Sequence, residues 1–223
     1  MTLLGRAVLR TLVYADIFSY PLKASEVERW LISQKPRFGV QKELAERVKD
    51  SRLVKKGNYY CLPGREAIVD IRKEREISSN KKFMIAKRLS RLLNFLPTVR
   101  MVAVTGSLAM TNTEEEEDID LLIITAKNRI WLTRLAVILL TEIVAKRRRP
   151  KEKAWKNKIC LNMFLEEDKL CVVPEERNLF TAHEGFQVYP LSVKGDIYQK
   201  FIKENEWCKR FLPNWKPLPA SAN

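Results

Sequence analysis

Val99-Arg100-Met101-Val102-Ala103-Val104-Thr105-Gly106-Ser107, then ten residues, then Asp118-Ile119-Asp120-Leu121-Leu122-Ile123-Ile124-Thr125 is the stretch on which the fold turns. Both ends are nearly continuous apolar runs with the length of a buried strand. The first run empties into Gly-Ser and the second opens on Asp-x-Asp. Residues two apart on a strand face the same way, so Asp118 and Asp120 project together, as a shared divalent cation requires. Mg²⁺ takes oxygen ligands, commonly one or two carboxylates plus substrate phosphates. Gly106 permits close backbone approach. Ser107 opens a short helix whose free N–H groups and hydroxyl suit a triphosphate.

Downstream, residues 128–146 read as a helix. Its greasy centre, 130–144, carries Arg134 and Glu142 and is shorter than the roughly 20 residues that span a bilayer. It therefore reads as a core helix, and no membrane partner is expected. Residues 158–165 read as a third strand, and 175–184 and 195–210 as helices, with Pro213 closing the structured part. The region 98–215 is thus expected to be an α/β domain with a small mixed sheet, followed by a tail, 216–223. Upstream, 65–97 reads as a charged helical linker broken near Ser78-Ser79-Asn80. In residues 1–64, Leu9, Leu12, Val13 and Ile17 recur at helical spacing. Ser25 to Glu28 has a capping-box pattern, and Val40 to Lys49 makes a third helix. Residues 53–62 form a hairpin around Gly57-Asn58. Three helices and a hairpin in this order resemble a winged helix-turn-helix domain. The whole is expected to be α+β.

The Gly-Ser, spacer and D-x-D pattern resembles the DNA polymerase β-like nucleotidyltransferase superfamily over about residues 98–165. Gly106, Ser107, Asp118 and Asp120 match its signature position by position. More loosely, the chain looks like bacterial minimal nucleotidyltransferase-like proteins with an N-terminal winged helix. The resemblance implies Mg²⁺- or Mn²⁺-dependent transfer of a nucleoside monophosphate from an NTP, ATP being the first choice, to an unidentified acceptor. It implies that Asp118 and Asp120 are catalytic metal ligands and that Gly106 and Ser107 bind the nucleotide. The superfamily adds a third carboxylate from a neighbouring strand. The matching strand here offers Asn162 at its centre, and Glu166 and Glu142 lie elsewhere. An alternative expectation follows: a nucleic-acid-binding regulator whose nucleotidyltransferase-like domain is inert and senses nucleotide. A third is a module that acts on a protein partner.

Across 223 residues, 41 Lys and Arg face 27 Asp and Glu, a net charge of +14. Such a balance favours polyanionic partners, and the 46% hydrophobic content excludes a disordered tail. The charge is uneven: residues 98–145 carry 4 basic and 7 acidic side chains, and 146–158 carry 8 and 1. Arg147, Arg148 and Arg149, with Trp155 behind them, are candidate nucleic-acid contacts. Lys42 and Arg47 on the third helix and Lys55 and Lys56 at the hairpin are candidates of the same kind. Glu114 to Glu117 reads as a solvated loop. Four scattered cysteines without a C-x-x-C pair, and a single histidine, His183, argue against a disulfide framework or structural zinc. His183 reads as a structural hydrogen-bonding residue. Early charge at the N-terminus argues against a secretory leader, and a cytoplasmic location is expected.

Overall fold

The computed structural model describes residues 1–36, 39–148 and 155–217. They divide into two compact units. One comprises Met1–Glu74 with Asn178–His183 and Trp207–Pro217; the other comprises Arg75–Arg177 with Glu184–Glu206. The chain is α+β and holds one three-stranded and one four-stranded sheet. No helix among the described residues is long and apolar enough to cross a membrane.

In the first unit, α1 (Leu3–Asp16) starts at Thr2, whose hydroxyl accepts from Gly5 N at 2.8 Å. Its buried stripe is Ala7, Val8, Thr11, Leu12 and Ala15, one step round from the expected face, and Val13 and Ile17 lie 49% and 71% exposed. Small residues carry the contact, so the largest side chains misplace it. A short strand, β1 (Leu22–Lys23), precedes α2 (Ala24–Arg29). The cap of α2 sits two residues earlier than expected: Glu26 Oε2 accepts from Lys23 N at 2.7 Å. Helix α3 (Val40–Lys49) leaves Gly39, whose φ of +106° favours glycine. The hairpin β2 (Val54–Lys56) and β3 (Tyr59–Cys61) closes through Gly57 at φ +61°, and β1 pairs antiparallel with β3 to give the order β1-β3-β2.

Helix α4 (Ile68–Leu93) runs unbroken through Ser78-Ser79-Asn80. Ser79 is fully buried and its Oγ accepts from Thr113 N at 3.2 Å, so the polar triplet serves packing and does not break the helix.

The second unit is built on β4 (Val99–Val104), the single turn α5 (Gly106–Ala109), β5 (Ile119–Thr125), α6 (Ile130–Val144) and β6 (Ile159–Glu166). It continues through α7 (Leu179–Gln187), which spans both units, β7 (Tyr189–Val193) and α8 (Ile197–Glu204). Strand order is β6-β5-β4-β7, with β5–β6 parallel and the other pairs antiparallel. Side chains alternate between two cores. Val102, Val104, Leu121 and Ile123 pack with Leu89, Leu93 and Val137; Met101, Ala103, Leu122 and Ile124 pack with Ile197, Tyr198 and Phe201. Burial on both faces explains why β4 and β5 read as continuous apolar runs.

The helix expected over 175–184 is a 3-10 turn, Pro174–Glu176, followed by α7 from Leu179, and two further features differ from expectation. Strand β7 was not anticipated. Helix α6 is only partly a core helix: its buried stripe is Thr133, Val137 and Thr141, while Trp131, Leu132, Leu135, Leu139 and Ile143 are exposed.

Candidate functional site

The site begins where β4 ends. Gly106 takes φ +61°, and a Cβ there would stand 3.1 Å from Asp120 Oδ2. Only glycine lets the backbone lie so close to that carboxylate without strain. Thr105 N donates to Asp120 O at 3.1 Å, fixing the turn to β5. Asp118 and Asp120 converge as their spacing requires. With Cys160 of β6 they offer ligand atoms that all lie within 4.8 Å of one another, a group able to hold a metal ion.

The third strand departs from expectation. In the parallel register Asp120 lies opposite Cys160, then a bulge intervenes and Leu122 lies opposite Met163. Asn162 falls at this irregularity and is exposed. Cys160, and not Asn162, is therefore the β6 residue beside the aspartates. Glu166 pairs with Thr125 at the other end of the strand, and Glu142 pairs with Arg147 at 3.0 Å. Burial, and then the charge of Asp118, push the Asp120 carboxyl above its ordinary range. Burial, followed by Asp120, pushes the Cys160 thiol up to about 12. Glu184 on α7 is raised by burial and then by the charge of Asp120.

Basic groups surround the acids. Arg148 Nη1 meets Asp118 Oδ2 at 2.7 Å, and its Cζ lies 4.4 Å from the Trp155 ring centroid. It is placed there because Arg148 N donates to Ile159 O at 2.8 Å, which lays this segment along β6. Ser107 Oγ donates to Glu117 Oε2 at 2.7 Å, and the same oxygen accepts from Thr113 Oγ1 at 2.9 Å and Glu114 N at 3.2 Å. Glu114, Glu115 and Glu116 are solvent-exposed, as a solvated loop requires, while Glu117 turns inward. Arg75 pairs with Glu114, and Lys156 meets Glu115 at 2.6 Å and Glu116 at 3.0 Å. The Lys82 ammonium donates to Glu115 O at 3.0 Å and to Glu117 O.

Lys82 is 1% exposed, and burial lowers its pKa. Lys82→Met leaves two carbonyls without their donor and an acidic loop without its counter-charge, at an expected cost of about 2 kcal/mol. Denaturant unfolding checks this, and an unchanged midpoint would sink the idea.

The other sequence candidates are scattered or engaged. Arg47 is 8% exposed and its guanidinium meets Asp50 at 2.6 Å, Glu46 at 3.5 Å and Glu43 at 3.8 Å, so its fork is spent within the chain. Lys56 pairs with Asp70 at 2.7 Å, and Lys55 Nζ sits 5.6 Å from the Tyr60 ring centroid. Lys42 is exposed. Arg149 lies outside the described residues. Cys160, Glu117 and Lys82 escaped sequence reasoning. Strand parity leaves residues 160 and 162 equally eligible, and only the bulge chooses between them.

Two carboxylates over a bare glycine fit one Mg²⁺. The third donor is sulfur, so the residues present do not supply the oxygen-rich second position of a two-metal site.

No family model matches the sequence, and no curated protein matches it. A solved structure described as "Crystal structure of the toxin-antitoxin with AMP-PNP" is similar over 56% of this chain and 82% of that chain, at 12% identity and a TM-score of 0.28. A likeness this low fixes neither fold nor activity.

Proposed function

We propose that the second unit is a nucleotidyltransferase-type domain that binds a nucleoside triphosphate, ATP first, at Gly106 and Ser107. One divalent cation is held by Asp118 and Asp120. The observation that carries the reading is the apposition of Gly106 and Asp120, with Asp118 converging on the same place. It brings a bare backbone turn and a carboxylate pair together, which is what a phosphate chain with its counter-ion needs. The cation, when bound, neutralises phosphate charge. The chain's own residues do the rest. Gly106 admits the phosphate to the backbone, and the Ser107 hydroxyl turns from Glu117 to the phosphate oxygen. Arg148 on Asp118 balances the added negative charge. The acceptor is a hydroxyl- or phosphate-bearing molecule, with nucleic acid or a protein partner as candidates.

The N-terminal unit supports a winged helix reading, with α1–α3 followed by the β2–β3 hairpin. Because Arg47 and Lys56 already have acidic partners, the unit fits protein contacts better than DNA.

A second reading has its own observation. Glu117 occupies the Ser107 hydroxyl, Arg148 occupies Asp118, and sulfur stands where a third carboxylate would be. Those three features favour an inert, nucleotide-sensing domain.

Calorimetry with a non-hydrolysable ATP analogue and Mg²⁺ tests the shared core of both readings. Asp118→Ala with Asp120→Ala is expected to weaken binding at least about tenfold, or about 1.4 kcal/mol. Unchanged affinity would overturn the assignment of this site. Labelled ATP offered with a cell extract then separates the readings: transfer of label supports an enzyme, and binding without transfer supports a sensor.

A further inference from the structure

The donor set at the head of β5 is two oxygens and one sulfur, and that mixture is chemically selective. Mg²⁺ is a hard ion that keeps oxygen ligands and water. Thiolate ligands draw softer ions. We propose that Asp118, Asp120 and Cys160 form a single site for a thiophilic divalent ion of the zinc class, bound in preference to Mg²⁺. This rests on the reading of Asp118 and Asp120 as a cation site and goes beyond it in naming the third ligand and the ion.

Three observations place the ligands. The parallel register sets Cys160 directly opposite Asp120. The ligand atoms already lie within 4.8 Å of one another. On one tetrahedral ion, with metal–sulfur near ~2.3 Å and metal–oxygen near ~2.1 Å, such donors sit roughly 3.5 Å apart. Closing the difference takes movement of about 1 Å. The bulge immediately after Cys160 is the third observation: it turns Asn162 out to the surface and leaves the sulfur facing the aspartates. Bulges recur beside functional sites because they re-aim a side chain in this way.

One further feature suits a cation here. Gly106 leaves open the space beside Asp120 Oδ2 that a Cβ would crowd at 3.1 Å. Arg148 Nη1 meets Asp118 Oδ2 at 2.7 Å and is held against Trp155. Its charge opposes a cation at that oxygen, so the ion takes the other oxygen of Asp118. Three protein donors leave a fourth position open, as in zinc sites that take a water or a substrate oxygen; a nucleotide phosphate oxygen is the occupant consistent with the proposed function. Binding is a proton exchange: the thiol S–H bond breaks, a sulfur–metal bond forms, and the proton leaves to buffer.

The test uses the full chain stripped with chelator and titrated with Co²⁺, a spectroscopic substitute for zinc. The expected result is one equivalent bound with a thiolate-to-cobalt charge-transfer band in the near ultraviolet. Zn²⁺ bleaches that band, and a hundredfold excess of Mg²⁺ (about two decades in affinity) leaves it intact. Cys160→Ser abolishes the band and weakens Co²⁺ at least about tenfold. Cys171→Ser, at the exposed cysteine, retains both and excludes that thiol as the source. Cys160→Asp, checked for retained fold by circular dichroism, loses the band and gains Mg²⁺ affinity. A site that binds Co²⁺ without the band overturns the proposal, as does displacement by equimolar Mg²⁺ or unchanged Co²⁺ affinity in Cys160→Ser. Failure of the wild-type chain to bind nucleotide while the band persists overturns the nucleotidyltransferase reading and leaves this one standing.

Discussion

Arg72→Leu is expected to cost the N-terminal unit about 3–5 kcal/mol. Arg72 is 2% exposed near the start of α4, and it gathers three elements. Its Nη1 and Nη2 meet the two oxygens of Glu26 at 2.8 and 2.6 Å, and Nη1 also donates to the Pro21 carbonyl. Its planar group lies 4.1 Å from the Tyr20 ring centroid and 4.9 Å from that of Tyr59. Glu26 in turn caps α2 through Lys23 N. Leucine fills part of the space but leaves the part-buried Glu26 carboxylate and the Pro21 carbonyl without their guanidinium, and that loss of partners dominates. Glu26→Gln added to Arg72→Leu should recover part of it, because the charge left behind is then gone while the amide oxygen still accepts from Lys23 N. Urea unfolding followed by far-ultraviolet circular dichroism measures both. A single-variant loss under about 1 kcal/mol would show the pair to be a surface ornament.

The second large effect is a pH dependence. His183 is 5% exposed and stacked between Tyr14, at 4.3 Å and 17°, and Trp30, at 5.3 Å and 27°. Burial pushes its imidazole down from 6.5 to about 4. The folded chain therefore keeps His183 neutral where the unfolded chain has already taken a proton. Stability from this group is complete above pH 6.5, falls as pH drops toward 4, and levels off below that. The full drop is about 3 kcal/mol, from the shift and the ~1.36 kcal/mol that each unit carries. Unfolding at about pH 7.5 and about pH 4.5 should show the natural chain losing roughly 2–3 kcal/mol more than His183→Gln. Parallel losses in the two proteins would refute it. The sequence suggested a hydrogen-bonding role for His183; the ring's aromatic neighbours come from elements far away in the chain.

Strands β4 and β5 were legible because strands buried on both faces write themselves as unbroken apolar runs, and β6, half-exposed, was legible from its apolar content alone. Val99–Val104, Ile119–Thr125 and Ile159–Glu166 fall within a residue of expectation. Strand β7 was hidden because Pro190 demotes a run to an edge, and an edge is where it lies, against β4 alone. Helix α6 was legible as a helix but not in its orientation, since Thr133 and Thr141 go inward and leucines outward. In the site, Asp118 and Asp120 followed from the two-residue period of a strand. Cys160 did not, because register between strands so distant in sequence is settled by a bulge and not by local pattern. Lys82 and Glu117 were submerged in charge runs, where composition averages over the few side chains that are held in place.

The register of β5 and β6 also sets an order of assembly. Val104 and Leu121 pair seventeen positions apart, whereas Asp120 meets Cys160 forty positions later in the chain. Closing the longer loop costs more entropy, and parallel pairing is intrinsically slower. The carboxylates are therefore expected to come to rest against Gly106 before the sulfur arrives. On that order a folding chain first presents two oxygens and no thiol, and the softness of the finished pocket is acquired last; refolding in Co²⁺ with the thiolate band appearing in the earliest phase would refute it.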